Sequence, residues 1–336
     1  IAVKRMKISP VVALDQKAKE DEWWDIKTLT TAEFLQCDDF SHFTTEIIVC
    51  VGPRQTFNSI KKALQNLGLK KIHFLHDFYE FHSFFVWRTN EVTERMRRNS
   101  DYFKTAYELL TDPLSREIFC RLTQTHISFM PLDIPCSPRE EQYFPTDIPL
   151  SKGHKTYVCC GAYNGENIHL LKKMLGRTNT IICFEPEIMI YSELVRCAED
   201  NRGQVADEII CYNCAVHDRD GRHPFRSGDG LGSRLDVSGT MDVQCVTLDN
   251  ALRDFPPTFI SMDIEGAEVP ALKGAEKTIR KHLPDLGICV YHYPEQIAEV
   301  INTINQMQSG YEFFVRNYTG YLTETVVYAF HRRTKN

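Results

Sequence analysis

Short apolar runs rich in β-branched residues recur along the second half of the chain, and helical patterns separate most of them. Their nearly continuous apolar character is typical of strands that are buried on both faces of a parallel sheet. Six runs fit this description: TYVCCG, TIICFEP, EIICYNCAV, DVQCVTL, FISMDIEG and LGICVYHY. Together they predict an α/β fold with a doubly wound, mostly parallel sheet. Two later runs, YEFFVRNYT and ETVVYAFHR, are separated by a short turn and predict an antiparallel hairpin at the sheet edge.

The first half of the chain predicts a smaller α/β domain. EIIVCVG is typical of a buried strand, PRQTFNSIKKALQNLG of an amphipathic helix and KKIHFLHDF of a second strand, and the three make one βαβ unit. A later Pro-rich stretch, residues 130–150, shows no periodicity and is typical of a linker or a lid. We therefore expect an N-terminal domain over residues 1–129 and a C-terminal domain over residues 151–336.

Composition limits the partners that this chain can bind. A net charge of −6 and the absence of a long Lys or Arg run provide no basic field for phosphates, so we expect no nucleic-acid partner. No apolar run reaches the roughly 18 residues of a membrane span, and the first 30 residues show no signal-type apolar core. Because the chain begins at Ile1, an upstream extension stays open. The sequence contains no signal for the oligomeric state.

The cysteines and the N-terminal histidines favour structural roles. The 12 Cys residues are scattered through apolar segments, which is typical of reduced thiols in a cytoplasmic protein. Cys211 and Cys214 form a C-x-x-C, but the predicted strand points the two thiols to opposite faces, which argues against a zinc or redox pair. Four polar residues near the second N-terminal strand have spacings that match no standard metal-ligand set: His73, His76, Asp77 and His82.

Two glycines and an acid follow the first two strands of the C-terminal domain. Ligands of open α/β sheets bind outside the carboxyl ends of the strands. Gly161 and Gly165 allow a tight turn there, and Glu185 follows twenty residues later, where an acid can accept both ribose hydroxyls. The middle glycine of G-x-G-x-x-G is missing, so the turn suits an adenosine ligand without a pyrophosphate better than a dinucleotide. A plain strand-to-helix turn followed by a surface glutamate is the structural alternative.

Three ionisable residues follow a later pair of strands. Asp263 and Glu265, in SMDIEGAE, are two residues apart and share a face if the strand continues. Two such carboxylates repel each other unless a cation or a proton donor is near, which indicates a cationic ligand, a metal or one raised pKa. His292, in VYHYPE, reaches the same edge, and with a near-neutral pKa it would be a general base. A histidine packed under a loop is an equally open interpretation.

The second half resembles the FkbM family of S-adenosylmethionine-dependent methyltransferases, from TDPLSREIF to the C-terminus. The resemblance is carried by EEQYF, VCCGAYNGE, FEP, NCAV, GLGSR, VTLD, MDIEGAEVPALKGA, VYHYPE and GYEFFVRNYTGYLTETVVYAF, and only the combination is specific. It implies a class I methyltransferase fold, which is Rossmann-like, with a seven-stranded sheet. It also implies methylation of a hydroxyl on a sugar, a glycan or another small metabolite.

The resemblance also implies roles for individual residues. Residues 161–165 would wrap the methionine part of the cofactor, Glu185 would hold the ribose and residues 213–215 would flank the adenine. The implied cofactor positions are Cys159, Gly161, Ala162, Tyr163, Asn164, Gly165, Glu185, Pro186, Asn213, Cys214, Ala215 and Asp263. Asp263 and His292 would face the acceptor, with Glu265 beside them. Members of the family usually have Asp where this chain has Cys159. The contact between this position and the cofactor's ammonium group would therefore be weaker in this chain.

These observations leave three functional hypotheses. The first is an O-methyltransferase in which His292 accepts a proton, while Asp263 orients the acceptor or, with Glu265, holds a divalent ion. The second is a binding or scaffold module in which the loop at Cys159 no longer supports turnover. The third is an NAD-type oxidoreductase, which the missing glycine disfavours. No motif in the sequence identifies the acceptor.

Overall fold

The structure of the chain is a computed structural model that describes residues 12–14, 27–29, 46–49, 54–74, 92–128, 133–227, 233–320 and 322–332. The chain divides into two compact units, which are described separately. One comprises residues 1–94 and 124–133, and the other comprises residues 95–123 and 134–336. The domain boundaries expected at residues 129 and 150 stay predictions, although residues 134–150 group with the C-terminal unit.

The first unit contains the expected strand–helix–strand arrangement. Its elements are β1 (Val12–Leu14), β2 (Lys27–Leu29), β3 (Glu46–Val49), α1 (Arg54–Asn66) and β4 (Lys71–Phe74). β3 and β4 pair in parallel, as the βαβ prediction requires, and β1 pairs in parallel with β2. The side chain of His73 and the residues His76, Asp77 and His82 lie outside the part of the chain that the structure describes.

The second unit contains a large sheet and a small one. Its strands are β5 (Thr156–Cys160), β6 (Thr178–Phe184), β7 (Ala206–Tyr212), β8 (Ala215–Val216), β9 (Gly221–Arg226), β10 (Arg234–Leu235), β11 (Met241–Val246), β12 (Phe259–Met262), β13 (Asp285–Cys289), β14 (Tyr311–Asn317) and β15 (Thr325–His331). The large sheet has seven strands in the order β14-β15-β13-β12-β5-β6-β7. All of its pairs are parallel except those of β15, which runs antiparallel to β13 and β14. The mostly parallel sheet with its C-terminal hairpin is confirmed.

Further helices precede the first strand of the large sheet or lie between the later strands. They are α2 (Ser100–Glu108), α3 (Pro113–Ser128), α4 (Glu166–Leu175), α5 (Ile188–Asn201), α6 (Leu248–Ala251), α7 (Glu268–Lys273), α8 (Glu276–His282) and α9 (Gln296–Met307). The strand order reverses between β5 and β12. Because crossovers between parallel strands are right-handed, the helices of the two halves cover opposite faces of the sheet. None of the described helices is long and apolar enough to cross a membrane.

The predicted strand DVQCVTL is not part of the large sheet, as had been expected. It forms β11 in a four-stranded sheet with the order β10-β9-β11-β8. Val243 and Cys245 are buried there, whereas Asp242 and Gln244 on the other face are exposed. This alternation is typical of a strand that is covered on one side only. The small sheet therefore carries its own apolar cluster, around Phe225.

Buried polar contacts tie the segments before β5 to the large sheet. Arg316 on β14 is 2% exposed and donates to the carboxylates of Asp112 and Asp147, each at 2.7 Å. The backbone N–H of Tyr143 donates to the hydroxyl of Tyr328 on β15 at 2.8 Å. A buried arginine between two carboxylates makes this attachment costly to break, because either partner alone would be an uncompensated charge.

Candidate active site

The carboxyl ends of β5, β6 and β12 open onto one cleft, at the point where the strand order reverses. Ligands of open α/β sheets bind at this position. Eight of the residues expected from the sequence line the cleft: Gly161, Tyr163, Glu185, Pro186, Cys214, Ala215, Asp263 and Glu265. The structure thus brings together the glycine turn, the acid after β6, the segment after β7 and the acidic residues after β12.

The glycine turn follows β5 and leads into α4. Gly161 has a φ of 78° and Gly165 a φ of 95°, both in the region that favours glycine. A Cβ on Gly161 would lie 1.9 Å from the carbonyl oxygen of Asp263, and one on Gly165 would lie 2.6 Å from the sulfur of Cys197. The two glycines therefore let the turn pack against β12 and α5, and Gly161 sets the backbone position of Asp263.

Glu185 is held at the cleft by backbone donors. Its Oε2 accepts the N–H of Tyr163 at 3.1 Å, and its Oε1 accepts the N–H of Glu187 at 2.8 Å. The residue is 7% exposed, and this burial raises the pKa of its carboxyl to about 7, against the lowering effect of the two N–H donors. Each carboxylate oxygen keeps a free lone pair, so Glu185 can still accept hydrogen bonds from a ligand.

The segment after β7 contributes the next part of the wall. Asn213 does not line the cleft itself; its side-chain amide donates to the carbonyl oxygens of Glu185 and Pro186, at 2.9 and 3.1 Å. Cys214 and Ala215 do line it. Asn213 therefore positions the loop that carries Glu185, while its two successors offer the contact surface.

Four of the expected cofactor residues lie away from the cleft surface. Cys159 is 1% exposed on β5 and accepts the side-chain amide of Asn167 at 3.3 Å, and burial raises the pKa of its thiol. Ala162 is 2% exposed and Gly165 is buried, whereas Asn164 is exposed on the turn. None of the four is among the lining residues. The position at which the family usually has Asp is thus inside the sheet in this chain.

Asp263 and His292 meet at the ends of the neighbouring strands β12 and β13. The Tyr291 hydroxyl donates to both carboxylate oxygens of Asp263, at 3.1 and 3.0 Å. Nε2 of His292 lies 3.2 Å from Oδ1 of Asp263 and 3.7 Å from Oε2 of Glu265. Glu265 has a φ of 56°, and burial raises the pKa of its carboxyl. The three residues expected to be catalytic are therefore in one group.

A fourth acidic residue lies on the other side of the imidazole. Glu268 is fully buried, and its Oε1 lies 3.3 Å from Nδ1 of His292. Burial opposes a charge on His292, but the carboxylates of Asp263 and Glu268 outweigh it and raise its pKa to about 10. This raised pKa favours the protonated ring, whereas the general-base role expected for His292 requires a near-neutral pKa. Asp263 has the larger raising effect, and Glu268, a residue that was not expected at the site, adds to it.

Other residues of the cleft were also missed. Ser233 and Arg234 come from the GLGSR segment and line the cleft together with Phe225 of the small sheet. GLGSR was one of the pieces that carried the family resemblance, and this was the available signal. The small sheet therefore supplies one wall of the cleft.

The pair formed by Cys211, within β7, and Cys214, just after it, forms no metal site within the described part of the chain. Cys211 pairs in register with Cys183 of β6, and neither Cys211 nor Cys214 belongs to a group of three side chains that could hold an ion. All cysteines whose placement is described are free thiols. Such a group is formed in this part of the chain by Asp263, Glu265 and His292, with ligand atoms within 4.8 Å of one another.

Comparisons with known proteins relate this architecture to methyltransferases. Residues 160–313 match the family model of the methyltransferase FkbM domain. The methyltransferase FkbM from Methylobacillus flagellatus KT is similar in structure, with a TM-score of 0.63 and 20% identity over 96% of this chain and 84% of that one. Among curated proteins, no match to the chain was found.

Two further solved structures match less well. Fibrillarin from Aeropyrum pernix, in complex with S-adenosyl-L-methionine, has a TM-score of 0.36 and 12% identity over 55% of this chain and 69% of that one. The O-methyltransferase TomG from Streptomyces achromogenes has a TM-score of 0.35 and 11% identity over 66% of this chain and 91% of that one. Residues 160–313, somewhat less than half of the chain, thus match the methyltransferase FkbM domain, and the similarity to the Methylobacillus protein shows a shared fold.

Proposed function

We propose that this chain is an S-adenosylmethionine-dependent O-methyltransferase that acts on a hydroxyl of a sugar, a glycan or another small metabolite. One observation carries the proposal: an acidic residue after β6 and a pair of acidic residues after β12 line the same cleft, within the residues that match the FkbM domain. Glu185 is the first of these, and Asp263 with Glu265 forms the second.

The adenosine part of the cofactor suits the side of the cleft that holds Glu185. Glu185 would accept the ribose hydroxyls, because its carboxylate is fixed and keeps lone pairs free. Ala215 and Phe225 offer apolar surface for an adenine, and Tyr163 lies on the turn where the methionine part would pass. When bound, the cofactor supplies an electrophilic methyl carbon on a sulfonium. The residues present therefore fit the group, without a contribution from Cys159.

The acceptor hydroxyl would lie against Asp263 and Glu265. Methyl transfer to oxygen forms an O–C bond, breaks an S–C bond and releases the hydroxyl proton. The carboxylates of Asp263 and Glu268 raise the pKa of His292 to about 10 against the effect of burial, so we do not propose it as a free base. We propose that Asp263 and Glu265 orient the hydroxyl and that His292 balances their charge. Burial raises the pKa of Glu265, so we propose that its carboxylate accepts the hydroxyl proton.

Incubation with methyl-labelled cofactor tests the activity. Sugars, nucleotide sugars and cell extracts would serve as acceptors, and mass spectrometry would locate the label. We expect labelled product from the natural chain, and a loss of at least about 100-fold from Asp263→Asn, because an acceptor without its orienting carboxylate loses alignment. Glu276→Gln, which changes an exposed carboxylate on α8, is the matched control and should behave as the natural chain.

Calorimetry separates the methyltransferase from the other two hypotheses. S-adenosylmethionine should bind and NAD should not, and Glu185→Ala should weaken S-adenosylmethionine binding while Glu265→Gln leaves it close to that of the natural chain. Binding of NAD alone would replace the proposal with an oxidoreductase. Binding of neither ligand, together with no labelled product, would replace it with a scaffold module.

A further inference from the structure

The group formed by Asp263, Glu265 and His292 has the composition of a metal site. Two carboxylates and one imidazole each offer one ligand atom, and these atoms lie within 4.8 Å of one another. β12 and β13 pair in parallel, with Met262 opposite Ile288, so the residues that follow the two strands meet at one edge. Such a mixed oxygen and nitrogen donor set suits divalent ions of the first transition row.

The ring of His292 is oriented as a metal-binding histidine is. Nδ1 faces the buried carboxylate of Glu268, and Nε2 faces Asp263 and Glu265. Glu268 is itself fixed, because its carboxylate accepts the N–H of Ile264 at 2.8 Å and the side-chain amide of Gln296. A carboxylate behind the imidazole commonly sets the ring orientation at metal sites and leaves the other nitrogen for the ion.

A second feature of His292 is independent of the acidic cluster. Its side chain is 8% exposed, and neither ring nitrogen is in a hydrogen bond, although both lie near carboxylate oxygens. Buried polar atoms in proteins nearly always have a hydrogen-bond partner, and an exception needs an explanation. A ligand between Nε2 and the two carboxylates provides one.

The charge balance favours a cation at this place. Three carboxylates, those of Asp263, Glu265 and Glu268, surround a single imidazole. Carboxylates are the more numerous charged groups here even with Arg234, which lines the cleft and whose charge acts on Glu265. The Tyr291 hydroxyl, which donates to Asp263, adds no charge.

We propose that Asp263, Glu265 and Nε2 of His292 bind a divalent first-row transition ion, represented by Mn²⁺, with Glu268 as the residue that positions the imidazole. The ion would be next to the cleft and could hold the oxygen of an acceptor hydroxyl, whose acidity it would increase. That consequence rests on the proposed methyltransferase function. The binding of the ion does not, and it is measurable on the chain alone.

Electron paramagnetic resonance of Mn²⁺ tests the site, because the signal of the free ion decreases on binding. The full chain, treated with a chelator and dialysed, would be titrated with Mn²⁺ without cofactor or acceptor. We expect one saturable site per chain. Asp263→Asn and Glu265→Gln should each weaken Mn²⁺ binding at least tenfold, and Glu268→Gln should weaken it about 10- to 100-fold through the orientation of His292. Glu276→Gln, on the exposed face of α8, should leave it unchanged.

Circular dichroism would establish that each variant is folded, and Glu265→Gln carries the test if the more buried positions do not tolerate change. A folded natural chain that binds no Mn²⁺ overturns the proposal. Binding that Asp263→Asn and Glu265→Gln leave unaltered also overturns it, because the ion would then be elsewhere. Mn²⁺ binding without S-adenosylmethionine binding supports the metal site and contradicts the methyltransferase; the reverse result supports the methyltransferase and contradicts the metal site.

Discussion

The two sides of the cleft are built by different parts of the chain. On the side of the glycine turn, backbone groups hold the functional residue: the N–H groups of Tyr163 and Glu187 fix Glu185. On the acidic side, side chains contact one another. The Tyr291 hydroxyl donates to Asp263, and the carboxylates of Asp263 and Glu268 lie next to the ring nitrogens of His292. Backbone contacts depend on the path of the chain, whereas contacts between ionisable side chains depend on their charges.

Because of this difference, different kinds of substitution should disrupt the two sides of the cleft. The turn side tolerates no additional atom at Gly161, because the carbonyl oxygen of Asp263 occupies the space that a Cβ would need. On the acidic side, the three carboxylates of Asp263, Glu265 and Glu268 lie around the single imidazole of His292, so the arrangement depends on charge. We therefore expect steric changes to act mainly on the turn side and charge changes mainly on the acidic side.

The largest effect on stability is expected from Gly161→Ala, because the new side chain would push the glycine turn away from Asp263 on the acidic side. Its Cβ would lie 1.9 Å from the backbone oxygen and 2.9 Å from the backbone carbon of Asp263, at a φ of 78°. Overpacking and the left-handed backbone together should lower the free energy of unfolding by about 4 kcal/mol. Urea denaturation measures this loss, and calorimetry should show that S-adenosylmethionine no longer binds to the folded fraction.

Gly203→Ala is the matched control for that variant. Gly203 has a similar φ of 74°, but no atom lies within 4 Å of the position that its Cβ would take. Backbone strain alone should then lower the free energy of unfolding by about 1 kcal/mol. Equal losses in the two variants would mean that the contact with Asp263 contributes nothing, and the turn would not set the position of β12.

The next effect concerns Cys159, where the family resemblance and the structure lead to opposite expectations. The family resemblance predicts that Cys159→Asp tightens cofactor binding, because the substitution restores the acid that members of the family usually have. In the structure the side chain is buried within the sheet, so a carboxylate there would lose its hydration, with the amide of Asn167 as partial compensation. We expect Cys159→Asp to lower the free energy of unfolding at pH 8 by about 2 kcal/mol relative to Cys159→Asn.

The pH dependence separates charge from shape in this pair. Burial would raise the pKa of the new carboxyl above its value in the unfolded chain, so the Asp variant should lose stability relative to the Asn variant as the pH rises from 4 to 8. Urea denaturation at several pH values tests this. Tighter S-adenosylmethionine binding by Cys159→Asp, without a stability loss, would show that position 159 reaches the cofactor after all.

Most of the fold could be predicted from the sequence, because strands that are buried on both faces have a nearly continuous apolar composition. The run FISM is apolar apart from one Ser and forms β12, whose four residues are all buried, and the C-terminal hairpin followed from two close β-rich runs. The misplaced strand β11 also had a local signal. In Met241–Val246 polar and apolar residues alternate, which indicates a sheet with one covered face rather than two.

The sequence indicated which residues would meet at the cleft, and their roles stay predictions; it did not indicate the charged groups around His292. The strand ends identified Glu185, Asp263 and His292, because the carboxyl edge of a parallel sheet collects its ligands. Asp263 and Glu268 together raise the pKa of His292, and Glu268, the first residue of α7, has the sequence position of an ordinary acidic residue at a helix start. Its complete burial and its distance to the imidazole arise from the packing of α7 and α9, which no local pattern contains.

The smallest expected effect is a pH dependence of cofactor binding. It tests whether the charge of the Glu185 carboxylate, and not only its position, contributes to cofactor binding. Its carboxyl has a pKa of about 7 in the free chain, and ribose hydroxyls donate to the ionised form. Binding should therefore be strongest above pH 7 and weaken as the pH falls. Between pH 8 and pH 6 the dissociation constant should rise about tenfold, since the ionised fraction falls by that factor.

Glu185→Gln provides the reference, because the amino group of S-adenosylmethionine also titrates near this range. The variant should bind more weakly at pH 8, but its dissociation constant should change less between pH 8 and pH 6 than that of the natural chain. The ratio of the two profiles, measured by calorimetry in one buffer series, isolates the contribution of Glu185. Parallel profiles would mean that this carboxyl does not titrate against the cofactor, and the ribose would then need a partner other than the residue that the N–H groups of Tyr163 and Glu187 hold in place.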